Sequence, residues 1–92
     1  MTKYLVIEVP FDGDITVTPF NTIEDVDREV QAILGRIVFD FVADNMFDEM
    51  TKYFETLNEE TYTDDFGVNH YEYVSYGYRD MENQIYVKEI EV

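Results

Sequence analysis

The chain has 92 residues, with 21 Asp and Glu against six Lys and Arg and a formal charge of −15, which bounds it to one strongly acidic domain. A hydrophobic fraction of 46%, with eight Tyr and seven Phe, belongs to a folded protein rather than to an acidic disordered segment. The absence of cysteine excludes disulfides, thiolate catalysis and Cys-based zinc sites, and the scarcity of Lys and Arg argues against direct nucleic-acid binding.

The first element is a β-hairpin. Tyr4 to Val9 is rich in β-formers, with Leu5, Ile7 and Val9 on one face, and Asp12-Gly13 supplies a tight turn before Ile15-Thr16-Val17-Thr18. Pro19 is expected to end it. Asn21 or Thr22 then caps a helix whose first turn carries Glu24 and Asp25, where the positive pole of the helix dipole favours carboxylates.

Helical periodicity runs on to Leu57 without a proline, but its apolar face changes direction. Ile23, Val26, Val30, Ile33, Leu34, Ile37 and Phe41 cluster on one side, whereas Val42, Met46, Met50, Tyr53, Phe54 and Leu57 lie nearly opposite. One straight helix of about 54 Å cannot bury both faces on one sheet. Either the chain bends between Phe39 and Asn45, the preferred reading, or a continuous helix buries its second face in a homodimer. Asn58 to Asn69 reads as an acidic polar loop, and Tyr71 to Tyr78 and Ile85 to Val92 form a second hairpin joined by Asp80-Met81-Glu82-Asn83. The expected fold is a single α+β domain over residues 1–92, in the order ββααββ. It comprises a four-stranded antiparallel sheet made of two hairpins, with a long or bent helical segment packed on one face.

Residue types that could support catalysis stand alone. The one serine, Ser75, lies in a predicted strand without a nucleophile-elbow pattern, and the one histidine, His70, is placed at a strand edge as a surface or turn residue. The four glycines are scattered, so no phosphate-cradling loop forms, and neither Asp12-Gly13-Asp14 nor Asp64-Asp65-Phe66-Gly67 has the spacing of a calcium loop. Val87-Lys88-Glu89 lacks the preceding acid that a metal-dependent nuclease needs. No enzyme activity, cofactor or metal is expected. The apolar run near Met1 is too short and strand-like for a signal peptide, and no segment approaches the roughly 20 apolar residues of a membrane span, so the expected compartment is the cytoplasm.

One pattern stands out. Asp40, Asp44 and Asp48 recur at four-residue spacing, about 6 Å apart on a helix, with Glu55 and Glu59 on the same side. Glu60, Asp64 and Asp65 extend the negative charge into the following loop. A solvated helix face opposite Val42, Met46, Met50 and Leu57 would account for the positions of these acids, but ordinary exposed faces mix both signs of charge. The bias in sign is what points to a basic partner. Among the tyrosines, Tyr71, Tyr73, Tyr76 and Tyr78 fall two to each face of one strand, one pair suited to the core and the other to an interface.

A short, cysteine-free, aromatic-rich chain with carboxylates in rows resembles the DNA-mimic inhibitors that phages and mobile elements direct against host defence, the anti-CRISPR and anti-restriction classes. The likeness is one of physical character over the whole chain, without a shared motif, and no residue is carried over from it. It implies a protein that binds a basic nucleic-acid-binding partner in the host-cell cytoplasm. A Cas effector, a restriction enzyme or a nucleoid protein would each fit, and Asp40, Asp44, Asp48, Glu55, Glu59, Glu60, Asp64 and Asp65 would be the contact residues. An immunity or antitoxin-like protein that neutralises a basic toxic enzyme, or a phage structural component, is the alternative.

Overall fold

A computed structural model describes every residue from Met1 to Val92. Its elements are β1 (Thr2–Val9), β2 (Thr16–Phe20), α1 (Ile23–Ala43), α2 (Phe47–Tyr53), β3 (Asn58–Thr63), β4 (Asn69–Tyr78) and β5 (Met81–Glu91). One antiparallel sheet takes all five strands in the order β2-β1-β5-β4-β3. The class is α+β, but the four-stranded ββααββ expectation is corrected: Asn58–Thr63, read from sequence as a loop, is a strand. It escaped the sequence reading because β3 is an edge strand with every residue exposed, so no apolar alternation marks it. Its Glu59 and Glu60 are the charges that keep a sheet edge from pairing with other chains.

The edge position also explains β2, which runs through Pro19 rather than stopping before it. A proline costs no ladder bond when its missing N–H would have faced solvent. The β4–β5 turn is tighter than expected, with only Arg79 and Asp80 between the paired Tyr78 and Met81. Gly77 precedes it at φ 127°, where an added Cβ would collide with the Met81 carbonyl.

Helix α1 starts as its sequence dictates, with the Thr22 hydroxyl accepting from the Asp25 N–H at 3.2 Å. Its stripe of Val26, Val30 and Ile33 packs on Val6, Val74, Tyr76 and Ile85 to make the fully buried core. The helix breaks at the C-terminal end of the interval where the apolar face turns. Asn45 adopts a left-handed φ of 54°, its N–H donating to the Val42 carbonyl at 3.1 Å, while the Met46 N–H reaches back to Phe41 at 2.9 Å. That pair of bonds is the Schellman closure, and asparagine tolerates the left-handed conformation better than other residues with a Cβ. The chain reverses and α2 lies against α1 and β4 through aromatic contacts, Tyr53 meeting Phe41 of α1 at 5.4 Å and Tyr78 and Tyr76 of β4 at 5.2 and 6.1 Å between ring centroids. Burial in this cluster pushes the Tyr76 phenol up to about 12.

The sheet divides at one end. β4 pairs with β5 only from Tyr73↔Tyr86 to Tyr78↔Met81, whereas β5 continues to Glu91 with β1 as its one neighbour. Beyond Tyr73 toward its N-terminus, β4 follows β3 instead, through a register shift in which Glu60 faces Tyr73 and Thr61 faces Tyr71. The extra residue, Glu72, is a β-bulge that bends the β3–β4 arm away from β5. It also resets the strand's alternation, so Tyr71 packs against the core while Tyr73 lies on Tyr86, ring centroids 5.0 Å apart.

Candidate interaction surface

The second half of α1 and all of α2 form a corner of the molecule whose surface is both acidic and apolar. Asp40 lies in the last turn of α1 and Asp44 is its C-cap, with no basic residue in that turn. Carboxylates there sit on the negative pole of the helix dipole, the least favourable place for them. Around them Val38, Val42, Met46 and Phe47 are exposed, and Phe39 is 70% exposed. Asp40 and Asp44 line a shallow cavity of about 290 Å³ with Ile37, Phe41, Met46 and Tyr53. On another side of α1, a groove of about 390 Å³ between the helices is walled by Leu34, Val38, Met50, Phe54 and Leu57, with Glu59 at its rim.

The acids picked out in sequence do not form one ribbon, because the helix that would have carried them ends at Ala43. Asp40 and Asp44 remain together on α1, and Asp48 is in the first turn of α2. Glu55 follows α2 and accepts from Arg79 at 2.6 Å, which neutralises it locally. Glu59 and Glu60 are on β3, where Glu60 turns to a different cavity, and Asp65 is exposed in the β3–β4 turn. Asp64 is held internally. Its Oδ1 accepts from the N–H groups of Phe66 and Val68 at 2.8 and 2.9 Å, and its Oδ2 meets His70 Nε2 at 2.7 Å.

His70 is correspondingly not a surface residue, as its position in the sequence suggested, but is 2% exposed. Its Nδ1 lies 2.6 Å from Asp27 Oδ2, and Asp27 Oδ1 accepts from the Tyr71 N–H at 3.1 Å. Ionised carboxylates only accept, so both ring nitrogens donate when the imidazole is protonated. The hydrogen bond to Asp27, then that to Asp64, raises the His70 pKa above its ordinary value against the opposing effect of burial. The Asp64 carboxyl is lowered, first by the Val68 N–H and next by His70. While the imidazole is protonated both ring nitrogens are engaged and neither offers a lone pair. The clamp instead ties the β3–β4 arm to α1 where the arm has left β5. A solitary histidine gave no signal of this in sequence, because its partners are 43 residues before it and six before it. Of the exposed apolar residues beside Asp40, Val42 and Met46 were legible as part of an apolar stripe, read as a face to be buried by a bend or in a homodimer, whereas Val38, Phe39 and Phe47 lay in neither stripe.

The division of the sheet opens a further cavity, a cleft of about 700 Å³ between the β3–β4 arm and the C-terminal half of β5, with Ile23 of α1 also in its wall. Tyr4, Tyr62, Tyr71, Tyr73 and Tyr86 line it, together with Glu60, Glu72 and Glu89 and a single basic residue, Lys88. Burial and the neighbouring Glu89 raise the Tyr4 phenol; burial, then Tyr4 and Glu89, raise that of Tyr62. No helix of the chain is long and apolar enough to cross a membrane. No protein-family profile, curated protein or solved structure matches this chain.

Proposed function

We propose that this protein acts by binding: it docks on the basic, nucleic-acid-binding surface of another protein and competes with nucleic acid there, its carboxylates taking the place of phosphates. The observation that carries the reading is the corner at the end of α1. Asp40 and Asp44 occupy an electrostatically unfavourable helix terminus whose last turn holds no basic residue, beside exposed Phe39, Val42, Met46 and Phe47. An apolar centre with a charged rim is the composition of a protein interface, in which the apolar anchors set the lifetime of the complex and the charges set its encounter rate. The excess of acid, with Asp40, Asp44, Asp48 and Glu49 against Arg36 and Lys52, selects a basic partner and disfavours a homodimer through this corner, which would bring two sets of the same acids together. Asp48 on α2 and Glu59 at the groove rim complete the contact surface. Glu55, Glu60, Asp64 and Asp65 are peripheral to it.

A phage-type inhibitor acting in the host cytoplasm on a Cas effector, a restriction enzyme or a nucleoid protein fits this description. An immunity protein against a basic toxic nuclease would use the same surface. A mobility-shift competition against purified members of these classes, each preloaded with labelled duplex, tests the reading. The wild-type chain displaces the duplex from at least one of them, more weakly as salt is raised. The double variant Asp40→Asn/Asp44→Asn requires roughly 2- to 30-fold more protein, the range for two exposed ion pairs. A panel in which no member loses its duplex, or a double variant that competes as well as wild type, refutes it.

A further inference from the structure

The cleft in the divided sheet is built differently from the acidic corner. Past its last pairing with β4 at Tyr86, β5 presents an open edge from Val87 to Glu91, and every second residue of an antiparallel strand aims its N–H and C=O away from the neighbour it already has. Those groups look toward the space between β5 and the β3–β4 arm. The opening holds about 700 Å³, within the range of pockets that enclose a ligand. Five tyrosines line it, and the three glutamates outnumber Lys88, so the lining is aromatic and net negative.

We propose that this cleft receives an extended cationic segment of a partner protein, whose main chain pairs with the open edge of β5 while a lysine or arginine side chain settles among the tyrosine rings and Glu60, Glu72 and Glu89. Each part of the lining matches one part of such a ligand. An unpaired strand edge recognises an extended backbone, the mode by which peptides add to sheets. Aromatic faces attract an ammonium or guanidinium group, and more strongly where water is partly excluded. The glutamates supply charge complementarity at the mouth, since Glu60, Glu72 and Glu89 are all exposed. Single-stranded nucleic acid also stacks on aromatic rings, but its phosphates would meet the acidic lining of a chain with a formal charge of −15. This site shares no lining residue with the cavities around Asp40 and Asp44, and it stands whether or not that corner binds a partner.

The test is a titration of the ¹⁵N-labelled full chain with a blocked octapeptide of alternating arginine and valine, followed by amide chemical shifts at physiological ionic strength. The largest shifts are expected at Tyr71–Tyr73 and Val87–Glu89. Replacing the arginines by citrulline, which keeps shape but removes charge, or N-methylating alternate backbone amides, which removes main-chain donors, should each weaken binding at least threefold. In the protein, the exposed pair Glu72→Gln/Glu89→Gln should weaken it roughly threefold to tenfold without changing the melting temperature by more than a few degrees. Shifts confined to the end of α1 and to α2 overturn the proposal, as does equal affinity for the citrulline peptide, for the N-methylated peptide or in the glutamine variant. Preferential binding of oligothymidylate in the cleft would overturn it as well and assign the site to nucleic acid.

Discussion

Replacing His70 by leucine asks whether a buried charge holds the β3–β4 arm in place. The substitution puts an apolar side chain at a 2% exposed position but deletes two bonds of 2.6 and 2.7 Å to Asp27 and Asp64, leaving those carboxylates without a cation between them. Removing one partner of a buried ion pair costs about 3–5 kcal/mol. The Asp27 and Asp64 side chains are 17% and 29% exposed, so water relieves part of that, and the lower end, about 3 kcal/mol, is the expected loss. For a domain of this size that lowers the melting temperature by roughly 12–24 °C. Thermal unfolding followed by circular dichroism at pH 5.5 and pH 9 measures it.

The pH dependence separates charge from packing. His70 has its folded pKa raised above its unfolded value, so its contribution is fully present below about pH 6.5 and disappears as pH rises through the folded value. Asp64 is lowered, so its contribution is present above about pH 4 and disappears as pH falls through its folded value. The wild-type advantage over His70→Leu is therefore greatest between those limits and shrinks toward pH 9. As the sole histidine, His70 also gives an unambiguous proton resonance whose titration midpoint should lie above the ordinary imidazole value. An equal deficit at both pH values, or a midpoint at or below about 6.5, would refute the clamp.

The double variant Asp40→Asn/Asp44→Asn should gain about 0.5–1.5 kcal/mol in denaturant unfolding, because it removes two carboxylates from the negative pole of α1 and their mutual repulsion at i, i+4. The same variant is expected to lose affinity for a basic partner, so stability and binding should move in opposite directions; an unchanged denaturation midpoint would remove the electrostatic premise. Gly77→Ala should destabilise by about 1–3 kcal/mol, since φ 127° is strained for any L residue and the added methyl meets the Met81 carbonyl. A midpoint within error of wild type would mean that the β4–β5 turn can relax around a Cβ.

Much of the scaffold was readable because local chemistry decides it. Thr22 capping α1 ahead of Glu24 and Asp25, the stripe of Val26, Val30 and Ile33, and the existence of the β-rich runs around Val6, Val74 and Ile85 each follow from local preferences, although in β1 the alternation of Leu5, Ile7 and Val9 marked the face opposite the buried Val6. The turn in apolar direction near residue 42 likewise announced that one straight helix would not do, and Asn45 is where the backbone could break. The net charge and its single sign are properties of composition and needed no fold.

Tertiary structure alone decided what pairs with what. β3 exists because β4 offers its residues backbone partners, and no side-chain pattern records an exposed edge. The break in α1 separated Asp48 from Asp40 and Asp44, so a row even in sequence became an acidic corner in space. One bulged residue, Glu72, parted β4 from β5, opening a tyrosine-lined cleft and leaving the arm to be anchored by Asp27, His70 and Asp64. These outcomes depend on contacts between residues far apart in the chain, whose energies no local propensity contains, and that is why the position of one histidine could be read only from the folded protein.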